Sequence, residues 1–204
     1  MFSRVFFATA LVLALATQAT QAQQVAIRDS DLVIISPRTL STTQSDAFEE
    51  FKSNGRYFGA FYVSASGAFS WRSNLNTLDA ARLLSFQSCS LNSQNCQIYA
   101  TLSPKQSWLA KPIEGLLRTA AESAERWLRK TAVNGRSAVV AADGYFGWSG
   151  WQGKIGEAKL RTSALNHCKD QQKSRIVKLE QHQRQALDQE GLLKCSIILM
   201  NKAR

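Results

Sequence analysis

Phe61-Tyr62-Val63-Ser64-Ala65-Ser66-Gly67-Ala68-Phe69-Ser70-Trp71 and, 77 residues later, Ala138-Val139-Val140-Ala141-Ala142-Asp143-Gly144-Tyr145-Phe146-Gly147-Trp148 share one pattern: an apolar run, a turn, and a second run reaching tryptophan. Extended to residues 60–83 and 137–160, the overlay needs no gap and is identical at seven of 24 positions: Val63/Val140, Ala65/Ala142, Gly67/Gly144, Phe69/Phe146, Trp71/Trp148, Ala81/Ala158 and Leu83/Leu160. Common residue frequencies of roughly 5 to 7% would give about one or two matches. The stretch therefore reads as an internal repeat.

Asp-Gly between apolar runs is a hairpin signal, because glycine reaches positive φ without steric cost. Strand alternation then selects the loop length. A three-residue loop at 142–144, with Gly144 as a bulge, puts Val140, Phe146 and Trp148 on one face. Behind each hairpin, apolar and small residues at three-to-four spacing predict helices at 77–88 and 155–168. Ahead of them lie helices at 45–52, where Asp46, Glu49 and Glu50 favour the start and Phe48 and Phe51 face inward, and at 113–130, opened by Pro112. In the latter, Ile113, Leu116, Leu117, Ala120, Ala121, Ala124, Trp127 and Leu128 form one apolar stripe. Strands at 97–102 and 196–200 close the units. The expected fold is α+β: a helix-hairpin-helix-strand unit used twice, its antiparallel sheet packed on helices. The first unit spans 45–102 and the second 103–204, behind an N-terminal extension at 23–44.

Cys89 ends the helix of the first unit and Cys96 begins its last strand; Cys168 and Cys195 are expected at the same two places in the second. Four cysteines allow three pairings, and the repeat selects Cys89 with Cys96 and Cys168 with Cys195. Loops of these sizes contribute about 2.5 and 3.6 kcal/mol by chain entropy. No Cys-x-x-Cys and no histidine pair at zinc spacing occurs, so no metal is expected. The second unit also carries an insert at 169–194, rich in Gln, Lys and Arg and holding His182. It could prolong the preceding helix, add a strand at 175–179, or form a basic flap.

Residues 1–22 begin with one basic residue, Arg4, continue as an apolar run over 5–16 and end Thr20-Gln21-Ala22. That is the layout of a signal peptide. The apolar run is too short for a span, which needs roughly 20 residues, so the mature chain is expected in the periplasm or secreted, where disulfides form. Loss of Arg4 lowers the net charge from +10 to +9. Residues 23–102 hold six basic and six acidic side chains, whereas 103–204 hold eighteen and nine. All of the excess sits in the second half. Such asymmetry points to an acidic partner: an anionic envelope polymer, a membrane surface or an acidic protein. Export makes nucleic acid the poorest candidate.

Gly59-Ala60-Phe61, Gly67-Ala68-Phe69-Ser70-Trp71, an alanine-bearing helix ending in Cys89, and Cys96-Gln97-Ile98 resemble a family of small exported bacterial domains, the domain of unknown function 4189. The likeness covers about 45 residues of the first unit and, with a broken tail, the second. It implies a fold and an export address and supplies no catalytic residue. Similar exported proteins often carry an aminolevulinate synthase label; a pyridoxal phosphate enzyme needs a large fold and a positioned Schiff-base lysine, and neither is visible, so no cofactor is expected.

Nucleophilic catalysis needs a nucleophile within reach of an oriented base. His167 and His182 are the two histidines, and His167 points about 100° away from its helical neighbour Cys168. Gly147-Trp148-Ser149-Gly150 is not the Gly-x-Ser-x-Gly elbow. Gly147, Gly150, Gly153 and Gly156 recur every third residue but match no phosphate-binding loop. Glu49 with Glu50 and Glu122 with Glu125 read as helix solvation. Trp71 and Trp148 read as core, while Trp151, opposite Asn74 in the overlay, is the candidate exposed platform for stacking on a sugar or a partner. The candidate basic surface combines Arg126, Arg129 and Lys130 with Lys173, Arg175, Lys178 and Arg184 of the insert. The sequence thus points to an exported, non-catalytic binding or inhibitory module. A small periplasmic hydrolase and a structural envelope component are the alternatives.

Overall fold

Ser41 opens the first helix, α1 (Thr42–Asn54), with a capping box: the Gln44 N–H donates to the Ser41 hydroxyl, and the Ser41 N–H donates to the Gln44 side chain. The computed structural model describes residues 23–27, 30–105 and 136–201, with 123–124, 126–128, 130–131 and 134 between them. The signal-peptide reading of 1–22 and most of the predicted helix at 113–130 lie outside the described residues; those described between 123 and 131 are helical.

From α1, Phe48 and Phe51 reach the centre of the first sheet. There they pack on Phe61, which is fully buried, at centroid distances of 5.3 and 5.6 Å, and Tyr99 and Phe69 complete the cluster at 6.3 Å each. Phe61 lies on β3 (Phe58–Val63), which pairs antiparallel with β4 (Phe69–Leu75) and with β5 (Gln97–Pro104). Thr77 caps α2 (Leu78–Ser90) by accepting the Ala80 N–H. Residues 23–44 do more than extend the N-terminus. β1 (Gln23–Ile27) and β2 (Ser30–Ile34) form a hairpin whose second strand pairs with β5, giving a five-stranded antiparallel sheet in the order β1-β2-β5-β3-β4.

A second antiparallel sheet follows, in the order β7-β6-β8, from β6 (Ser137–Ala142), β7 (Trp148–Gly153) and β8 (Ser196–Asn201). β6 is apolar and buried from Ala138 to Ala142 because both its faces are covered there. Val139 and Ala141 pack on Leu160, Ala164 and Cys168 of α3 (Glu157–Ile176), while Val140 and Ala142 join Tyr57, Phe58 and Ala124, with Trp127, Phe146 and Trp148 against them.

Each hairpin loop has five residues, 64–68 and 143–147, and the three-residue loop at 142–144 is corrected. Side-chain hydrogen bonding builds both. Ser64 Oγ accepts the Ala68 N–H, and Asp143 Oδ1 accepts three amides, as described below. Gly67 takes positive φ, 92°, and Gly144 does not. Gly144 is required for a close approach instead. Its N–H donates to the Leu192 carbonyl at 2.7 Å, and a Cβ there would stand 2.9 Å from the Leu192 side chain and 3.1 Å from that carbonyl oxygen. Gly144→Ala is therefore expected to cost about 1–3 kcal/mol, read as a lower denaturant midpoint at unchanged slope. A midpoint equal to that of the parent protein would refute the close packing.

The hairpins correspond at a spacing of 79 residues, two more than the sequence overlay. Ala142 faces Trp148 where Val63 faces Phe69, Glu157 starts a helix where Leu78 does, and Cys168 stands where Cys89 does. In the strands a shift of two keeps every side chain on its face, which is why the shorter overlay also aligns apolar with apolar positions over the hairpin.

Disulfides join Cys89 to Cys96 and Cys168 to Cys195. Cys168 lies inside α3 rather than at its end, because the insert prolongs that helix to Ile176. No strand forms at 175–179, and the remainder of the insert is not a loose flap. It folds as α4 (Gln181–Gln189), whose Leu187 is fully buried beside Ala80, Ala81 and Leu84 of α2 and whose Gln183 side chain donates to Ser88 Oγ at 3.2 Å. Among the described residues no helix is long and apolar enough to cross a membrane.

Candidate functional site

Helical periodicity sets His167, Gln171 and Arg175 on one face of α3, four residues apart. That face runs beside β7, the edge strand of the second sheet. On the other side of β7, Trp127 lies across Gly150, close enough that a Cβ there would stand 3.1 Å from the indole ring. A cleft of about 450 Å³ results, lined by Ser123, Ala124, Trp127, Trp148, Ser149, Gly150, His167 and Gln171. A small hollow among Phe146, Gly147, Trp148, Gln171 and Arg175 shares Trp148 and Gln171 with it, and there the Arg175 guanidinium sits 4.6 Å from the centre of the Phe146 ring.

The polar lining of the cleft includes His167, Gln171 and Ser149. His167 Nε2 stands 3.5 Å from the Gln171 amide nitrogen, and its Nδ1 is buried with no hydrogen-bond partner among the described residues. The Trp151 ring meets the imidazole edge-on, 6.0 Å between centroids. Ser149 Oγ donates to the Ala164 carbonyl at 2.6 Å, which ties β7 to α3 and fixes the hydroxyl away from nucleophilic work.

Asp143, the nearest buried carboxylate in sequence, is a structural hub. Oδ1 accepts the amides of Tyr145, Phe146 and Gly147 at 2.9, 2.7 and 2.8 Å, and Oδ2 accepts the Gln172 side chain at 2.6 Å. Burial pushes its carboxyl above the usual aspartate range, against these hydrogen bonds, which pull it down. The first sheet holds the same loop: Asn76 Nδ2 donates to the Asp143 and Gly147 carbonyls at 2.9 and 3.2 Å, and Thr77 Oγ1 donates to the Gly144 carbonyl at 2.6 Å. The loop thus fixes β7, and with it the cleft, against the first sheet. No cluster of three histidine, cysteine or acidic side chains suited to a metal occurs among the described residues.

The residues singled out from sequence are spread over several elements. Trp151 is 40% exposed on β7 and packs edge-on against His167, outside the lining of the cleft. Arg126 and Lys130 are exposed on the helical segment that carries Trp127, while Arg129 lies outside the described residues. Of the insert charges, Arg175 reaches the cleft system. Lys173 is exposed and pairs with Asp170 at 3.0 Å, Lys178 is exposed beyond α3, and Arg184 is half-buried on α4. The insert charges therefore do not converge on one site.

Trp127 and Trp148, read as core from their spacing, do pack on the core, yet each turns part of its surface to the cleft. Gln171 was not marked by sequence, whereas His167 was weighed there as a catalytic base and proves to line the cleft. Their four-residue spacing beside a glycine-bearing edge strand is the signal that could have found them. Two other depressions flank the first sheet: a shallow one over residues 69–74 of β4, and one of about 350 Å³ between Tyr62, Arg82, Phe86 and Glu190. No family model, curated protein or solved structure matches the chain. Its activity is read from the cleft alone.

Proposed function

We propose that the chain is an exported, non-catalytic binding module of two related units, working in the periplasm or secreted, and that its ligand is anionic and sits in the cleft between Trp127, β7 and α3. One observation carries the reading: two tryptophans and a His167–Gln171 pair line one cleft that ends at Arg175. Pockets of this size that join aromatic walls to a few directed polar groups are the usual form of a small-ligand or side-chain site. Ser149 and Asp143, the residues a hydrolase would need beside His167, are both held by structural hydrogen bonds, which weighs against the enzyme reading. Export is supported by the layout of residues 1–22 and by the pairing of all four cysteines. A relation between the units, as in the resemblance to the domain of unknown function 4189, is supported by the shared placement of hairpin, helix and last strand in the two sheets.

Tryptophan fluorescence tests the proposal. Residues 23–204 are titrated with polyglutamate, with an anionic polysaccharide and with phosphatidylglycerol vesicles, at low salt and at physiological salt, where charges are screened beyond roughly 8 Å. At least one probe is expected to change the emission at low salt and to bind more weakly at the higher. Arg175→Gln should weaken it by about 3–10-fold, the equivalent of roughly 1 kcal/mol. No response to any probe at low salt, or equal affinity in Arg175→Gln, would overturn the reading.

A further inference from the structure

We propose that the cleft takes an acidic, extended peptide segment of another protein, which adds to β7 as a fourth strand of the second sheet. The inference rests on the reading of the chain as a binding module and names its partner.

The argument starts from the register of β7. Antiparallel pairs alternate between those that exchange two hydrogen bonds and those that exchange none. The Asp143 N–H donates to the Gly147 carbonyl, and the register runs without a bulge through Ala142 with Trp148, Ala141 with Ser149, Val140 with Gly150 and Val139 with Trp151. Ser149 and Trp151 therefore turn their backbone groups toward β6. Trp148 and Gly150 turn theirs outward. Among the described residues no strand pairs with that side of β7.

These outward groups form the floor of the cleft. Trp127 comes from the face of the sheet that carries Val140 and Ala142, and His167 from the opposite face, which α3 covers, yet both line the same cavity with Trp148 and Gly150. The cavity thus straddles the edge of the strand. Along residues 148–150 it offers about 10 Å of unpaired backbone, at roughly 3.4 Å per residue. An exposed edge is a template for strand addition, in which main-chain bonds supply affinity and side-chain pockets on the two faces supply selectivity.

The two walls differ in chemistry. One is the indole of Trp127 with Ala124; the other is His167 and Gln171, continued by Arg175. A strand alternates its side chains between faces, so the segment that fits carries apolar residues toward Trp127 and acidic ones toward α3. Charge agrees on the α3 wall, where Arg175 closes the far end; Arg126 and Lys130 are exposed on the segment that carries Trp127.

The test uses residues 23–204 and a synthetic peptide alternating glutamate and valine, beside two copies N-methylated at alternate residues, one copy for each parity. Calorimetry should show the parent peptide binding. The copy methylated on the amides that face β7 should lose about 10–100-fold, for one or two backbone hydrogen bonds, while the other copy should retain its affinity. Hydrogen exchange should slow at the amides of Trp148 and Gly150 in the complex. Equal affinity of the two methylated copies, or unchanged exchange at these amides, would overturn the proposal. An N-acetylglucosamine oligomer and an anionic polysaccharide run as further arms. Binding by either, dependent on Arg175 and with no binding of the peptide, would sink strand addition and leave the binding module standing; silence in every arm would sink both.

Discussion

Replacing Asp143 by alanine should lower the stability of the protein by about 3–5 kcal/mol, among the largest losses expected of a single substitution. The carboxylate closes the 143–147 loop by accepting three backbone amides and the Gln172 side chain, and Asp143 itself is 1% exposed. Alanine would leave those amides without an acceptor inside the protein, and each such buried donor costs about 1–3 kcal/mol. The effect should spread, because Asn76 and Thr77, between β4 and α2, bond to carbonyls of the same loop. Denaturant unfolding of the parent protein, Asp143→Ala and Asp143→Asn checks it. Asparagine keeps an oxygen for the three amides but presents a donor to Gln172, so its loss should be smaller, about 1–2 kcal/mol. A loss under about 1 kcal/mol for the alanine variant would remove Asp143 from the hub.

The pH dependence of that stability follows from the raised carboxyl pKa. The native protein holds this proton more tightly than the unfolded chain does. The contribution is therefore fully present below the unfolded value of about 3.9 and declines as pH rises through the native value. In Asp143→Asn this decline should vanish, leaving that part of the stability profile flatter than in the parent.

Removal of the Cys168–Cys195 bridge, as a double serine variant, should cost about 3.6 kcal/mol, against about 2.5 for Cys89–Cys96, because it closes the longer loop. The separations are 27 and 7 residues. Cys89 and Cys168 are both fully buried, so repacking adds to both losses and the difference between them rests on loop length. All of α4 lies inside the loop, and its Leu187 packs on α2. Hydrogen exchange in the double variant should therefore quicken first in residues 181–189. Equal losses for the two bridges would contradict the assignment.

Local chemistry was legible in the sequence; distant pairing was not. α1 and α2 begin within three residues of where acidic residues and periodicity place them, although it is Ser41 and Thr77 that cap them. β1 and β2 escaped notice because Leu32 is buried against β5, some 70 residues away, and a strand that completes a distant sheet leaves little trace of its own. The hairpin loops were read through glycine, whereas Ser64 and Asp143 build them, so the turns came out two residues too short. α4 has few apolar residues, and it is Leu187, docking on α2, that fixes it. The cleft was harder still. It exists because Gly150 lacks a side chain and Trp127 occupies the space, a relation between residues 23 apart that periodicity does not encode.

The loop between β6 and β7 also sets an order of events during folding. The first sheet can close once β5 has emerged, yet its buried Asn76 side chain finds its acceptors in Asp143 and Gly147. Tyr57 and Phe58, nearly fully buried in the finished protein, are covered from the second sheet by Val140, Ala142 and Trp148. A chain folded only as far as residue 105 thus displays two aromatic rings and an unanswered amide at the surface where its other half will dock. β8 is the last strand to join the second sheet, so that surface stays uncapped until residues 196–201 pair with β6. Until then the would-be interior is an adhesive patch, and a chain truncated after β5 is expected to aggregate.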